Sequence, residues 1–405
     1  MRILKLSVYP AVYLSSFYRA RPILAREDYA TQHAALMHDA FGSADFWTAA
    51  LAALGHVTTD LIITAEPLQR AWARENDTPW PATQWEFAIA RAQIRAFRPD
   101  VLLVADYSFV DAAFLRQLRS ECPSIRQTIV WCGAPYRNAD LFRACDMVLS
   151  CVPELVEDFR AQGLRTEHLH HAFAPRILEG LTPTAPSVDF TFLGSVSLAS
   201  SFHRERERIL AALVDETNIE IYTGVTTPSL RKRAGEQARI LAFDAVTQAK
   251  KLGLSLTKVP VIGKVARWPA RPGRSATIDA RIAKRATSAL YGLAMFNRLR
   301  DSRVTLNTHI DISRHNASNM RLFEATGVGA CLLTDRKDNL RELFEPDAEV
   351  VTYDSVAECV EKVRYLLSHD NERAAIAAAG QRRTLRDHTF AQRGQQLDAI
   401  LRESI

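Results

Sequence analysis

Residues 316–335 read NASNMRLFEATGVGACLLTD, and this run decides how the chain is built. Ser318 or Asn319 can open a helix over residues 319–325, because an oxygen there can accept a bond from a free N–H of the first turn. Met320 and Phe323 then face the core, while Arg321 and Glu324, three apart, share the other face. Gly327 and Gly329 permit a tight turn. Residues 330–334, ACLLT, then form a nearly all-apolar strand. A helix that turns straight into such a strand is one unit of a parallel α/β sheet covered on both faces.

The same alternation runs outward in both directions. Upstream, apolar runs predict strands at residues 3–9, 58–63, 101–105, 128–131 and 147–150, and helical spacing predicts helices over 29–39, 46–54, 85–97, 112–120 and 153–162. Pro99-Asp100 ends one helix and introduces the apolar run VLLVADYS. A stretch rich in Pro, Thr and Ser breaks the pattern at residues 173–187. It then restarts with strands at 189–193, 219–223, 304–307, 330–334 and 349–353, a helix at 203–213, and a charged helical tail at 355–367, 371–386 and 390–402. The expectation is two Rossmann-like α/β domains, residues 1–175 and 188–385, with a closing helix over 386–405. Ligands of such folds bind in the cleft outside the carboxyl ends of the strands.

Composition agrees with a globular chain. Of 405 residues 47% are hydrophobic and 24% charged, which excludes collagenous, mucin-like and wholly disordered classes. Six cysteines form no C-x-x-C pair, which argues against a zinc ribbon or a disulfide framework and points to a reducing cytoplasm. No run approaches 18 apolar residues, and the apolar start is interrupted by Lys5 and Pro10, so it reads as a first strand and not as a signal peptide.

Charge is unevenly placed. Residues 226–300 hold 16 Lys+Arg against 3 Asp+Glu, while the remainder holds 35 against 43. This basic insertion in the second domain could face nucleic acid, an anionic membrane or a phosphorylated substrate. Within it, residues 250–274 mix seven Lys and Arg with Leu, Val, Ile and Trp268 and contain no acid. That mixture suits a peripheral membrane contact or a loop closing over a bound diphosphate.

Several residues carry chemistry. The first turn of a helix at 319 suits a diphosphate, Arg321 can fork onto phosphate, and Glu324 can accept both hydroxyls of a ribose. The same residues equally fit a surface Arg–Glu pair followed by a glycine cap. His309, two residues after Asn307 at a strand end, is placed to touch the same ligand. That strand end, Asn307-Thr308-His309, has no acid, so no obligatory metal is expected there; His168, His170 and His171 lack zinc spacing. Cys132 reads as a small buried residue.

These residues, with Asn339-Leu340-Arg341-Glu342-Leu343-Phe344, Glu349 to Tyr353, the tail from Glu372-Arg373 to Arg393, and Phe192-Leu193-Gly194-Ser195 leading into His203-Arg204-Glu205-Arg206, resemble the CgeB-like (spore-maturation type) glycosyltransferases. The similarity is good over residues 307–393, moderate over 189–213 and looser in the first half, where Asp39 to Trp47 and Ala71 to Glu75 look like pieces of the same group. The resemblance implies a GT-B architecture, with a nucleotide-sugar in the second domain and the acceptor in the first. It implies a hexosyl-type transferase that takes a nucleotide-diphosphate sugar, a UDP-sugar favoured, without metal or other cofactor. The acceptor would be a glycan, a lipid-linked molecule or a protein, met in the cytoplasm or at the inner membrane face.

On that basis Glu324 would hold the ribose, Asn319, Arg321 and the Gly194-Ser195 turn would face the diphosphate, and His309 and Gly327 would lie beside them. Asn316 stands where retaining relatives carry a glutamate, so inversion is expected, with a general base from the acceptor side. Asp39 leads, followed by His33 and Asp106, with Asp28 in the same region. Tyr29, Gln32, Leu36 and Asp39 share a helical face that could line the cleft, although Asp39 also fits a helix-end cap. Two other functions compete: an epimerase or hydrolase acting on nucleotide-sugars, and a non-enzymatic nucleic-acid binder using the basic segment.

Overall fold

A computed structural model describes residues 1–196, 203–224, 230–251, 265 and 278–404. Most of the 250–274 segment lies outside these residues. The strands are β1 (Arg2–Ser7), β2 (Val57–Ile62), β3 (Val101–Val104), β4 (Gln127–Trp131), β5 (Met147–Ser150), β6 (Thr166–His168), β7 (Val188–Leu193), β8 (Glu220–Tyr222), β9 (Ala286–Thr287), β10 (Ser302–Asn307), β11 (Cys331–Asp335) and β12 (Val351–Tyr353). They form two six-stranded sheets, ordered β2-β1-β3-β4-β5-β6 and β12-β11-β10-β7-β8-β9. β1 runs parallel to both β2 and β3, and β10 to both β7 and β11, as helical crossovers require. The α/β class read from the sequence is therefore correct. Met1–Leu193 with Leu290–Ile405 makes one compact unit and Gly194–Ala289 a second. The second unit holds the helices Arg204–Glu216, Leu230–Lys251 and Ala280–Arg285, where Arg281 pairs with both Asp215 and Asp279.

β1 is buried on both faces, and one of its buried residues is Lys5, which has no exposed surface. Its register partner on β2 is Asp60, whose Oδ1 lies 2.9 Å from the Lys5 Nζ. Lys5 also donates to the Ala44 carbonyl, and Thr48 Oγ1 donates to Asp60. The loop supplying that carbonyl turns through positive φ at Ala40, Gly42 and Ala44. An ammonium and a carboxylate can share a dry interior only when both are paired and hydrogen-bonded, and here both are.

The chain passes from the first sheet to the second through residues 169–187 and returns near His388. The two passes are bonded together: Phe173 N–H donates to the His388 carbonyl (2.9 Å) and Phe390 N–H to the Phe173 carbonyl (3.1 Å). The Phe173 ring fills the space above Gly327, where an added Cβ would lie 2.4 Å from it. After the return, the Phe390–Arg402 helix packs on the Phe46–Ala53 helix. Phe390 sits 5.0 Å from the rings of both Phe46 and Trp47, Gly394 lies against Ala50, and Asp398 meets His56 Nε2 at 2.8 Å.

Around the first pass, His168 and His170 stack edge to face at 4.3 Å, and His388 lies 5.2 Å from Phe323. Burial drives the imidazoles toward neutrality, His170 to about 3 and His171 and His388 to about 4, with cationic Arg393 adding to the effect on His170 and His388. Enclosure away from water penalises the charged imidazolium, and at His388 it outweighs the bond from the ring to the Leu343 carbonyl.

Two stability measurements test this account. Asp60→Ala leaves the Lys5 ammonium buried without its carboxylate and should cost ~3–5 kcal/mol in urea unfolding, most of it recovered by Lys5→Met/Asp60→Leu. An Asp60→Ala midpoint equal to that of the native chain would contradict the pairing. The histidines have folded pKa values below the ~6.5 of an unfolded chain, so unfolding takes up protons. Stability should be complete above about pH 6.5 and fall as pH drops toward 4. A urea midpoint that is flat between pH 7 and pH 5 would show these rings are not held neutral.

Candidate functional site

β10 and β11 are buried along their lengths, so their polar residues collect at the carboxyl ends. Asn307 closes β10 and Asp335 closes β11. Asn307 Nδ2 donates to Thr334 Oγ1 (2.8 Å), and its carbonyl accepts from the Tyr353 hydroxyl (3.1 Å). The loop that follows is pinned by Asn339, whose Oδ1 accepts from Ala317 N–H at 2.6 Å, and by Glu154, which accepts from the N–H groups of His315 and Asn316.

The helix after this loop spans Arg321–Gly327, starting two residues later than expected, with Met320 at the N-cap and no side-chain cap. The predicted capping residues are engaged elsewhere. Ser318 Oγ bonds Ser313 Oγ at 2.6 Å, and Asn319 Nδ2 donates to Asn307 Oδ1 at 2.7 Å. Ser318 ties the loop to itself and Asn319 ties it to the end of β10, which removes both side chains from the helix terminus. Phe323 is buried as expected, and Arg321 and Glu324 do pair, at 2.7 Å. Glu324 is almost wholly enclosed, and burial raises its carboxyl above the ordinary range against the opposing pull of Arg321. Arg321 Nη1 also rests on Met295 Sδ (3.2 Å). Gly327 lies under the Phe173 ring, a packing position.

His309 and Asp335 form a second pair. His309 is 3% exposed, and its Nδ1 stands 2.7 Å from Asp335 Oδ1, which also accepts the His309 backbone N–H. Lys337 Nζ approaches the other carboxylate oxygen at 3.3 Å. Burial alone would push the Asp335 carboxyl up, but His309 and Lys337 outweigh it and hold it at about 2.

The residues expected on the acceptor side do not converge into one group. Asp39 caps the C-terminus of the Tyr29–His38 helix, accepts from the Tyr13 hydroxyl (2.9 Å) and Arg21 Nη2 (3.1 Å), and offers its carbonyl to Leu293 N–H. Gly292 abuts it so closely that a Cβ would lie 2.3 Å from its Oδ2. Burial raises the Asp39 carboxyl, with Tyr13 and Arg21 opposing. The helical face expected to line a cleft is instead partly core: Gln32 and Leu36 are fully enclosed. His33 Nε2 bonds the Asp60 carbonyl at 3.1 Å. Asp106, just past β3, accepts from Ser108 N–H (2.7 Å), and Asp28 caps its helix through Thr31 N–H. In the second unit, Gly194 N–H donates to the Tyr222 carbonyl and the Ser195 carbonyl accepts from Arg206 Nη1 at 2.8 Å.

Asp335 was within the run read first but was not singled out. Its signal was available, because an acid closing an apolar parallel strand stands at the ligand edge of the sheet. Asn339 gave no comparable signal. Among the described residues no three His, Cys, Asp or Glu side chains converge as a metal-ligand set, and no helix is long and apolar enough to cross a membrane.

Over its whole length the chain superposes on HepE of Anabaena in complex with UDP-glucose, with a TM-score of 0.55, 12% identity and 100% of that chain covered. It superposes likewise on T4 phage BGT in complex with its UDP-glucose substrate (0.52, 12%, 99% of that chain) and on sucrose-phosphate synthase from Thermosynechococcus elongatus (0.52, 11%, 98%). The shared feature is the GT-B fold. No curated protein matches the chain. Residues 231–399 match the family described as Glycosyl transferase-like. Residues 231–399 are thus similar to a glycosyl transferase-like domain, and the chain has the GT-B fold.

Proposed function

We propose that this protein transfers a hexose from a nucleotide-diphosphate sugar, a UDP-sugar in the first instance, to a hydroxyl of a glycan, lipid-linked or protein acceptor. The observation that carries the reading is the enclosed Arg321–Glu324 pair beside the carboxyl ends of β10 and β11, inside the family-matched region. A buried carboxylate can accept both hydroxyls of a ribose, and the guanidinium three residues away can turn to the diphosphate. The UDP-glucose held by two proteins of the same fold supports the choice of nucleotide. The resemblance to the CgeB-like group is retained as part of this proposal.

Chemistry would be substitution at the anomeric carbon, with Arg321 and backbone N–H groups neutralising the departing diphosphate in place of a metal. With Asn316 at the position of a second glutamate, inversion remains the favoured outcome. Among the three base candidates, Asp39 has both carboxylate oxygens engaged and His33 has its Nε2 engaged, whereas Asp106, half-buried at a strand end, has one oxygen on Ser108 N–H. Asp106 therefore moves ahead of Asp39 and His33 in this proposal.

A thermal-shift panel of UDP, GDP, dTDP and CMP against single-stranded RNA tests the class, since a ligand of the folded state raises its melting temperature. One nucleoside diphosphate should stabilise by several degrees; stabilisation by RNA alone would end the transferase reading. Glu324→Ala should then lower kcat/KM or donor affinity by about 2–4 kcal/mol, the loss of charged hydrogen bonds to two hydroxyls, with the fold kept. Native turnover and affinity in that variant would remove Glu324 from the site.

A further inference from the structure

Two buried polar atoms in the chain between β10 and the Arg321–Gly327 helix have no hydrogen-bond partner among the described residues: His309 Nε2 and Asn319 Oδ1. They are the two ends of one network. Asn319 Nδ2 donates to Asn307 Oδ1, Asn307 Nδ2 donates to Thr334 Oγ1, and Thr334 Oγ1 donates to Asp335 Oδ1 at 3.4 Å. From the other side, His309 Nδ1 meets the same Asp335 oxygen.

The polarity of this network follows from its centre. An ionised carboxylate can only accept, and Asp335 accepts the His309 backbone N–H and stands beside the Lys337 ammonium, which together keep it ionised. Thr334 must therefore spend its one proton on Asp335 and accept from Asn307. Asn307 then has its NH2 toward Thr334 and its oxygen toward Asn319, and Asn319 has its NH2 toward Asn307. His309 likewise carries its proton on Nδ1. Every donor points inward to Asp335, so with His309 as the neutral imidazole the outer ends present a ring-nitrogen lone pair and an amide oxygen. Phosphate oxygens, themselves acceptors, do not satisfy such a pair; hydroxyl groups do. A buried acceptor without a partner is costly, which gives selectivity for a ligand that brings hydroxyls.

We infer that Asp335 is a positioning residue which, through His309 and through Thr334–Asn307–Asn319, presents two acceptors to hydroxyls of the transferred sugar. The inference rests on the nucleotide-sugar reading above and assigns the ribose to Glu324, leaving the hexose to this network. It alters the expectation for Asn319, which then faces sugar hydroxyls and not the diphosphate.

The test is calorimetric titration of UDP and UDP-glucose into the native protein, Asp335→Asn and Asn319→Leu, with nitrogen-15 NMR of the His309 ring in the native protein. In both variants UDP affinity should stay within about twofold while UDP-glucose affinity falls at least about tenfold, one hydroxyl's hydrogen bond or more. His309 should show a protonated Nδ1 and a bare Nε2, and Asp335→Asn should disturb that pattern. Equal losses for UDP and UDP-glucose would assign the network to the nucleotide or to stability and overturn the inference, as would UDP-glucose affinity unchanged in both variants. A native His309 protonated only on Nε2 overturns it without reference to any ligand. A native protein that binds no nucleoside diphosphate sinks the transferase reading first; native UDP binding with an indifferent Asp335→Asn sinks this inference alone.

Discussion

The chain goes from its first sheet to its second and comes back, and the two passes are hydrogen-bonded to each other at Phe173 and at His388–Phe390. Much of the architecture depends on that junction. The Phe173 ring requires a glycine opposite it, which explains why Gly327 ends the helix bearing Arg321 and Glu324. The same junction holds the neutral histidines and sets the direction in which the Phe390–Arg402 helix leaves to reach the first sheet. A substitution at Gly327 would thus move the candidate site through packing.

Parallel sheets covered on both faces leave little choice about where polar chemistry can stand. Along β10 and β11 almost every side chain is enclosed, so Asn307, Thr334 and Asp335 must bond one another or a ligand. The Lys5–Asp60 pair is the counterexample within the first sheet, a charge pair placed mid-strand and closed on all sides by Ala44 and Thr48. The contrast separates the two roles of buried charge. Lys5 and Asp60 pair with each other and with Ala44 and Thr48, whereas the network around Asp335 ends in His309 Nε2 and Asn319 Oδ1, which have no partner among the described residues.

The elements were legible where periodicity was strong. The helices Trp85–Phe97 and Phe390–Arg402 and strand β5 fall on the predicted bounds, because apolar spacing and flanking breakers act locally. The helices Ala11–Ala20, Glu66–Glu75 and Gly292–Arg300 and strand β6 were not foreseen. Ala11–Ala20 is masked by its apolar start after β1, and β6 (TEH) is three residues long and polar, placed only by its pairing with β5. At the site, the spacing of Arg321 and Glu324 was readable because three residues put them on one helical face. The capping role assigned to Ser318 and Asn319 failed because partners on the Asn307 strand end and at Ser313, distant in sequence or hidden in a loop, competed for the same side chains.

The packing of the Phe390–Arg402 helix on the Phe46–Ala53 helix also has a meaning during synthesis. Residues of the first sheet up to His168 leave the ribosome about 220 residues before Phe390 does. At roughly 5–20 residues per second, this leaves a wait of about 10–45 s. Through that interval the surface formed by Phe46, Trp47 and Ala50 is without the helix that covers it. Nascent chains of this protein therefore carry a sticky aromatic face long after the first sheet has emerged, a face suited to capture by a chaperone and withdrawn only when the return helix arrives.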